Sequence, residues 1–513
     1  MPLFAIIMRI FAIFALRYII PLIMKKKKKI GKIIIIICSL FILWDIGYSF
    51  LQYNGADLDG DFAESILPKS YLDKLMEDPL GIKTVIEKDP HFSPNRFFSH
   101  WIFYKTFRTL PFLLQNFTDP IHSVYLSCSI SKLVMHIVLL ILLTLYITGE
   151  KIFTKKFLIT AAILSPFFQG NGFVRNIGLI DPSTTYSFFY ALPMIFLLLF
   201  FLPFILEIFH GKNVKMKIWM IILWIPLAFM VCLSGPLNSG IVLIMSLVLF
   251  IDRWMRNFSK EKGEKPGKRI FRSFALIPKK YYGFLIPISF LALYSLYVGL
   301  YNTGGTYTDI NLIHQFQKLP YGIVKFFVST PWIIILALIA VNYTLIAKYF
   351  KQDAAGKRLF SLLKFAGAFT LLYILLLPLG GYRDYRPDIL RYDTMIPVIV
   401  LALILIGVST TYLIGKWNFS IRVIYCSCII PLLLFFTVSD KRKIFNECEK
   451  QSLVYIAQSK EDIVVLHNDC AVVNWYPIYR PEESKELGEL LYIWRITDKP
   501  KLYYNLPPHS AQD

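Results

Sequence analysis

Charge is scarce in this sequence: acidic and basic residues together make up 17% of it, where soluble chains carry roughly a quarter. With a mean hydropathy of +0.54, that scarcity excludes a soluble fold, because too little polar surface is left to cover a water-facing domain. Cysteine is also sparse, at seven residues, and none stands at metal-ligand spacing from a histidine, which argues against a zinc site. Cys38, Cys128, Cys232, Cys426 and Cys428 lie in or beside apolar runs, where they act as small hydrophobes. No internal repeat stands out, and no low-complexity segment beyond the lysine and isoleucine runs near the N-terminus. Acidic residues are outnumbered 34 to 55 by Lys and Arg, for a net charge of +21. In a soluble protein that excess would point to nucleic acid. Here the cations cluster between apolar blocks, the distribution that fixes cytoplasmic loops, so no nucleic-acid partner is expected.

What the sequence has in quantity is long apolar blocks, clearest at Ile33–Phe50, Tyr125–Ile147, Ser187–Phe209 and Thr394–Gly415. Each can cross a hydrocarbon core of roughly 30 Å at 1.5 Å rise per residue. The expected fold is all-α: a polytopic transmembrane helix bundle of about eleven spans. Lys25–Lys29 and Lys32 precede Ile33–Phe50 and hold that end in the cytoplasm, sending the first span outward. The alternation then runs through Tyr125–Ile147, Phe157–Phe168, Ser187–Phe209, Trp219–Leu233, Asn238–Ile251, Phe284–Tyr301, Phe326–Ala347, Phe365–Leu379, Thr394–Gly415 and Val423–Val438. Every loop so assigned to the inside is basic, above all Arg253–Lys280. The chain therefore divides into a basic N-terminal segment, 1–32, a transmembrane domain, 33–438, with a large first outer loop, 51–124, and a small extracytoplasmic C-terminal region, 439–513. Leu3–Met24, interrupted by Arg9 and Arg17, reads as an interfacial helix, an extra span or the product of an upstream start codon. Asp45, Glu207 and Lys325 fall near span ends, so the spans are expected to carry no buried charge, which weighs against a proton-coupled carrier.

The first outer loop is the most informative segment. Tyr53–Pro68 places Asp57, Asp59 and Asp61 within five positions, with Gly60 between the last two to permit a tight turn. Carboxylates so grouped can take a proton from an attacking hydroxyl or hold a divalent cation; a solvated acidic turn is the plain alternative. Apolar spacing over Glu64–Glu77 predicts an amphipathic helix. Ser93-Pro94 predicts a helix start, and Asn95–Phe117 a helix in the interface plane, aromatic with Arg96, His100, Lys105 and Arg108 interleaved.

That order of elements resembles the GT-C superfamily of integral membrane glycosyltransferases, which have an inward N-terminus, an acidic motif in the first outer loop and juxtamembrane helices in the same loop. Arg391-Tyr392 followed by Pro397 at the start of a span is similar to the Arg-Tyr-x-x-x-x-Pro-like element of many members. The resemblance implies a polyprenyl-phosphate sugar donor, with its tail against the spans, and a glycan, lipid or protein acceptor at the outer face. Asp59 or Asp61 would be the general base of an inverting displacement, with Asp57 beside them and cations on the departing phosphate. It leaves a divalent cation on Asp59 and Asp61 open.

Candidate phosphate binders are Arg383, Arg386 and Arg391 with Tyr392 in the outer loop Gly380–Asp393, Arg175 in the turn near Asp181, and Arg96 and His100. A tyrosine-anchored, salt-bridged loop is the alternative for the arginines. Asn302–Pro320, with Tyr307, Asp309, His314 and Gln315, could line an acceptor cleft or cap the bundle, and His91, His100 and His122 read as scattered surface histidines. In the C-terminal region Ile463–Leu466 is strand-like, aromatics such as Trp475 and Trp494 follow, and Cys448 and Cys470 are expected to pair in an oxidising compartment. The Phe-, Ile- and Lys-rich composition suits a bacterial inner membrane, and the sequon Asn116-Phe117-Thr118 in the first outer loop counts little against it. Competing readings are a transporter or flippase for lipid-linked sugars, an envelope polysaccharide polymerase, and a non-catalytic scaffold.

Overall fold

Apolar sequence with no water to face settles into helices, because a helix pairs its backbone N–H and C=O groups internally. The computed structural model describes residues 27–168, 179–212, 214, 217–260, 266–303, 312–380, 388–437 and 446–506. Helix α1 (Lys27–Asn54) leads into the first loop, which carries α2 (Asp61–Ile66), α3 (Ser70–Glu77), α4 (Ile82–Glu87) and the longer α5 (Phe97–Leu114). Next come α6 (Pro120–Thr148), α7 (Lys155–Leu164), α8 (Thr184–His210), α9 (Ile218–Cys232), α10 (Pro236–Lys260), α11 (Pro266–Ala275) and α12 (Lys279–Gly299). Then follow α13 (Leu312–Gln317), α14 (Leu319–Phe327), α15 (Thr330–Phe350), α16 (Ala354–Leu376), α17 (Ile396–Lys416) and α18 (Phe419–Phe435).

Eight helices, α1, α6, α8, α10, α12, α15, α16 and α17, are long and apolar enough to cross a membrane. The other three expected spans are helical but shorter: α7 has 10 residues, α9 has 15 and α18 has 17. The molecule is thus an α-helical membrane bundle with eight full-length candidate spans among the described residues. Helices α6, α8 and α17 are its most enclosed members, and α17 packs against α6, α7, α15 and α16. On α1, by contrast, Ile36, Ile37, Leu40 and Leu43 are more than half exposed, the apolar surface that lipid covers in a membrane.

The spans do carry buried charge, contrary to expectation. Asp45 is fully buried in α1, where Ser165 Oγ donates to it. Lys132 is fully buried in α6; its Nζ donates to the Pro182 carbonyl at 2.7 Å and stands 5.4 Å from the Tyr53 ring centroid. Averaged hydropathy hides a single lysine inside so apolar a run, and its partners come from elements remote in sequence.

The first loop departs from its sequence pattern twice. The helix expected over Glu64–Glu77 is two helices, α2 and α3, because Pro68 fixes its own φ and pushes Leu67 into extended backbone (ψ 145°). The helix expected from Ser93-Pro94 begins at Phe97 instead, with Ser93 at a φ of 51° and its N–H bonded to Asn302 Oδ1 at 2.7 Å. Neither Ser93 nor Pro94 is therefore in a helical turn. α5 packs along α6 and over α2, burying Phe103 and Phe107 beneath Phe62.

The C-terminal region is a small α/β unit: α19 (Glu447–Gln458), β1 (Ile463–Leu466), α20 (Lys485–Ile493) and β2 (Leu502–Asn505), with the two strands parallel and Ile463 opposite Leu502. Trp494, fully buried, packs on Phe62 and donates through Nε1 to the Phe107 carbonyl at 3.2 Å, which seats the unit on the first loop.

Candidate functional site

Asp59 follows the end of α1, and the chain there turns back under the loop preceding α8. Ser183 Oγ and the Thr185 amide donate to Oδ2 at 2.8 and 3.1 Å, and Thr185 Oγ1 donates to Oδ1 at 2.6 Å. Burial raises this carboxyl above its usual range; the Thr185 and Ser183 bonds and nearby Lys132 oppose that rise. Three donors and 3% exposure close Asp59 off from an incoming hydroxyl. Its geometry is that of a group that fixes two loops together, a different place from the open base the acidic motif suggests.

Asp61 is more open than Asp59. It opens α2, is only partly buried, and accepts from Trp475 Nε1 at 3.2 Å. Asp57 is exposed beside it. Gly60, between Asp59 and Asp61, has an ordinary helical φ of −67°, so the turn itself does not require glycine. Close approach does: a Cβ there would stand 2.6 Å from Trp475 Cδ1 and 2.8 Å from Asn474 Oδ1.

A second cluster forms where the loops before α8 and α17 meet the start of α5. Arg391 grips Asp393 with two bonds, Nε to Oδ1 at 3.0 Å and the terminal nitrogen to Oδ2 at 2.7 Å. Tyr392 bears on Asp181, whose Oδ1 accepts the Ser183 amide at 2.7 Å. Burial raises the Asp181 carboxyl to about 6, with Asp393 adding to the rise and Ser183, Tyr392 and Lys132 opposing it. Arg96 and Asp393 line one small cavity together with Tyr190, Asn238 and Pro397. Among the described residues, no carboxylate pairs with the Arg96 guanidinium. His100 is buried against Phe189, ring centroids 4.6 Å apart. Burial, with Arg96 beside it, lowers that imidazole to about 3, so the ring is neutral and packs as an aromatic wall. The neighbouring stretch Ser187–Ala191 is π-helical, a local widening that functional sites often carry.

Next to this cluster, an apolar cavity of about 270 Å³ lies between α8, α10, α16 and α17. Met194, Ile241 and Pro397 line both it and the Arg96 cavity. Its wall follows α17 from Pro397 to Tyr412, about 22 Å at the helical rise. Lys156, His210 and Arg358 stand at the far end. Nothing in the sequence marks this groove, because its lining is drawn from helices that are all apolar and remote from one another along the chain.

Three expected phosphate binders, Arg175, Arg383 and Arg386, lie outside the described residues, as do Tyr307, Asp309 and the stretch 1–26. His91 is buried rather than at the surface, with Nδ1 near Thr84 Oγ1 at 3.3 Å; His122 is exposed and bonded to Asp119 at 2.6 Å. Among the described residues no group of three or more His, Cys, Asp and Glu is placed to hold a metal ion. Both Asp59 oxygens are already engaged by Ser183 and Thr185, so this carboxylate is not free to hold a divalent cation.

Two features of the C-terminal unit complete the surroundings. Cys448 and Cys470 form a disulfide with Cα atoms 6.1 Å apart. Glu449 is buried at the junction with the first loop and collects four donors. Tyr125 OH, Asn446 Nδ2 and the Leu58 amide reach Oε2 at 2.6, 2.7 and 3.1 Å, and the Val473 amide reaches Oε1 at 2.8 Å. Nothing in the sequence marks this residue: one glutamate in a polar helix carries no sign that it will be buried. No protein-family model, curated protein or solved structure matches the chain.

Proposed function

We propose that this chain is a GT-C-like membrane glycosyltransferase that moves a sugar from a polyprenyl-phosphate donor to an acceptor hydroxyl. The observation that carries the reading is the apolar groove that shares Met194, Ile241 and Pro397 with the neighbouring cavity of Arg96, a cation with no carboxylate partner among the described residues. A long isoprenoid tail fits a narrow apolar groove between spans, and its phosphate would then meet Arg96, whose planar donor fork suits phosphate oxygens. Asp61 lies in the accessible part of the acidic turn and is the base of this proposal. It takes the proton of the acceptor hydroxyl as that oxygen bonds to the anomeric carbon. The bond from the anomeric carbon to the phosphate oxygen breaks in the same step, and polyprenyl phosphate leaves with its charge met by Arg96. Asp59 positions the turn against Ser183 and Thr185. In this proposal the charge of the loops turns the site away from the cytoplasm, and the Phe-, Ile- and Lys-rich composition supports a bacterial inner membrane.

A second reading has its own support. The groove reaches Lys156 and Arg358 at its far end, and the spans hold Asp45 and Lys132, so a carrier for lipid-linked sugars also fits.

Purified protein supplied with radiolabelled polyprenyl-phosphate sugars and a membrane extract separates these readings. Asp61→Asn is expected to lower transfer by about 100-fold or more, and Arg96→Met to lower it with a weaker dependence on donor. Full transfer by folded Asp61→Asn removes Asp61 as the base. No transfer from any donor, alongside movement of the labelled lipid across liposomes, establishes the carrier instead.

A further inference from the structure

The acidic turn and the Arg96 cavity are joined by aromatic rings. Trp475 comes from the C-terminal unit, rests on Gly60 and bonds Asp61; its ring centroid lies 5.6 Å from that of Tyr186. Tyr186 in turn stands 6.0 Å from Tyr190, ring edge toward ring face. Tyr190 lines the cavity of Arg96 and Asp393. The fold thus brings three rings from two remote segments into one row between the proposed base and the proposed phosphate site.

The row is open to solvent at its head. Trp475 is 42% exposed and its neighbour Tyr476 is 76% exposed, although both are large apolar surfaces that burial would stabilise. Helix α8 could have presented aliphatic side chains there, as it does further along its length. Aromatic faces carry partial negative charge, and the axial C–H groups of a pyranose ring present a complementary, weakly positive apolar face. Carboxylates beside such rings accept the hydroxyls at the sugar's rim, and Asp61 stands at that edge. Apolar walls with a small number of placed polar groups are the usual make-up of a small-molecule site.

We propose that Trp475, Tyr186 and Tyr190 are a stacking track for pyranose rings, and that the acceptor is therefore a glycan rather than a peptide or lipid hydroxyl. The word acceptor rests on the transferase reading; the binding of sugar does not. Gly60 is glycine so that Trp475 can reach the turn, which places the stacked sugar beside Asp61.

The test is binding without any donor. Detergent-purified full-length protein is applied to an array of pyranose oligosaccharides, and the glycans retained are titrated against variants. Trp475→Ala is expected to weaken binding by about tenfold, the usual worth of one stacked ring face at an exposed site. Trp475→Phe keeps a ring without the Nε1–H and is expected to stay within about threefold of wild type. Tyr476→Ser, a change at the exposed neighbour outside the row, is the control and is expected to bind glycan as wild type does, while the thermal unfolding of each variant guards against a folding artefact. Wild-type affinity in Trp475→Ala, or no array glycan bound by folded wild-type protein, overturns the proposal. Glycan binding with no transfer from any donor leaves the track standing and removes the transferase, whereas transfer to a peptide or lipid with no glycan binding does the reverse.

Discussion

At the scale of single residues, burial decides what each acid can do. Asp59 and Asp61 are two positions apart, yet one is enclosed by three donors and the other is accessible. Glu449 is the most constrained acid of the C-terminal unit. Burial raises its pKa from 4.5 to about 7, the Asp57 charge adds to this, and bonds from Tyr125, Val473 and Leu58 oppose it. The folded state therefore binds this proton more tightly than the unfolded chain. Its contribution is full below pH 4.5 and is lost as pH rises through 7, a change of about 3 kcal/mol at 1.36 kcal/mol per pKa unit. Thermal unfolding of wild-type protein should thus shift downward between pH 5 and pH 8, and Glu449→Gln should flatten that slope. Parallel slopes for the two proteins would show that Glu449 does not carry the pH dependence.

Elements are held together by polar contacts that replace the missing hydrophobic drive between spans. Asn342 on α15 donates to Ser409 Oγ and Thr410 Oγ1 on α17 at 2.9 and 3.0 Å, and accepts from Tyr425 on α18 at 2.7 Å. Three helices meet at one amide. Asn342→Leu should destabilise the bundle by about 1 kcal/mol, the usual worth of such intramembrane bonds, since it also strands the Tyr425 hydroxyl. A lower melting temperature in detergent is the expected readout, and an unchanged one would show that packing alone fixes these helices.

For the whole molecule, the unit after α18 closes the loop end of the bundle. It is tied down by Trp494 on Phe107, by Glu449 on Leu58 and by Trp475 on Asp61. The Cys448–Cys470 bond joins residues 22 positions apart, worth about 3 kcal/mol in chain entropy. Alkylation of unreduced, denatured protein followed by mass spectrometry should find those two cysteines linked, with Cys38, Cys128, Cys232, Cys426 and Cys428 modified. Modified Cys448 and Cys470 would argue that this end of the molecule faces a reducing compartment.

Composition and periodicity are enough to set the solvent of this protein. Apolar blocks of span length have no other stable home, so the helical membrane class, the extent of the main spans and the β1 strand at Ile463–Leu466 are all legible along the chain. The acidic turn is legible too, because charge next to a span end is conspicuous. Folding in three dimensions was needed to close off Asp59 among its acids, to give Gly60 its tryptophan neighbour from the far end of the chain, and to bury Lys132 inside a span. The groove and the row of rings also arise only in the folded chain, since their members come from segments with no shared pattern. The divide is one of range: hydropathy is a sum over neighbours in the chain, while burial, hydrogen bonding and ring stacking depend on neighbours in space.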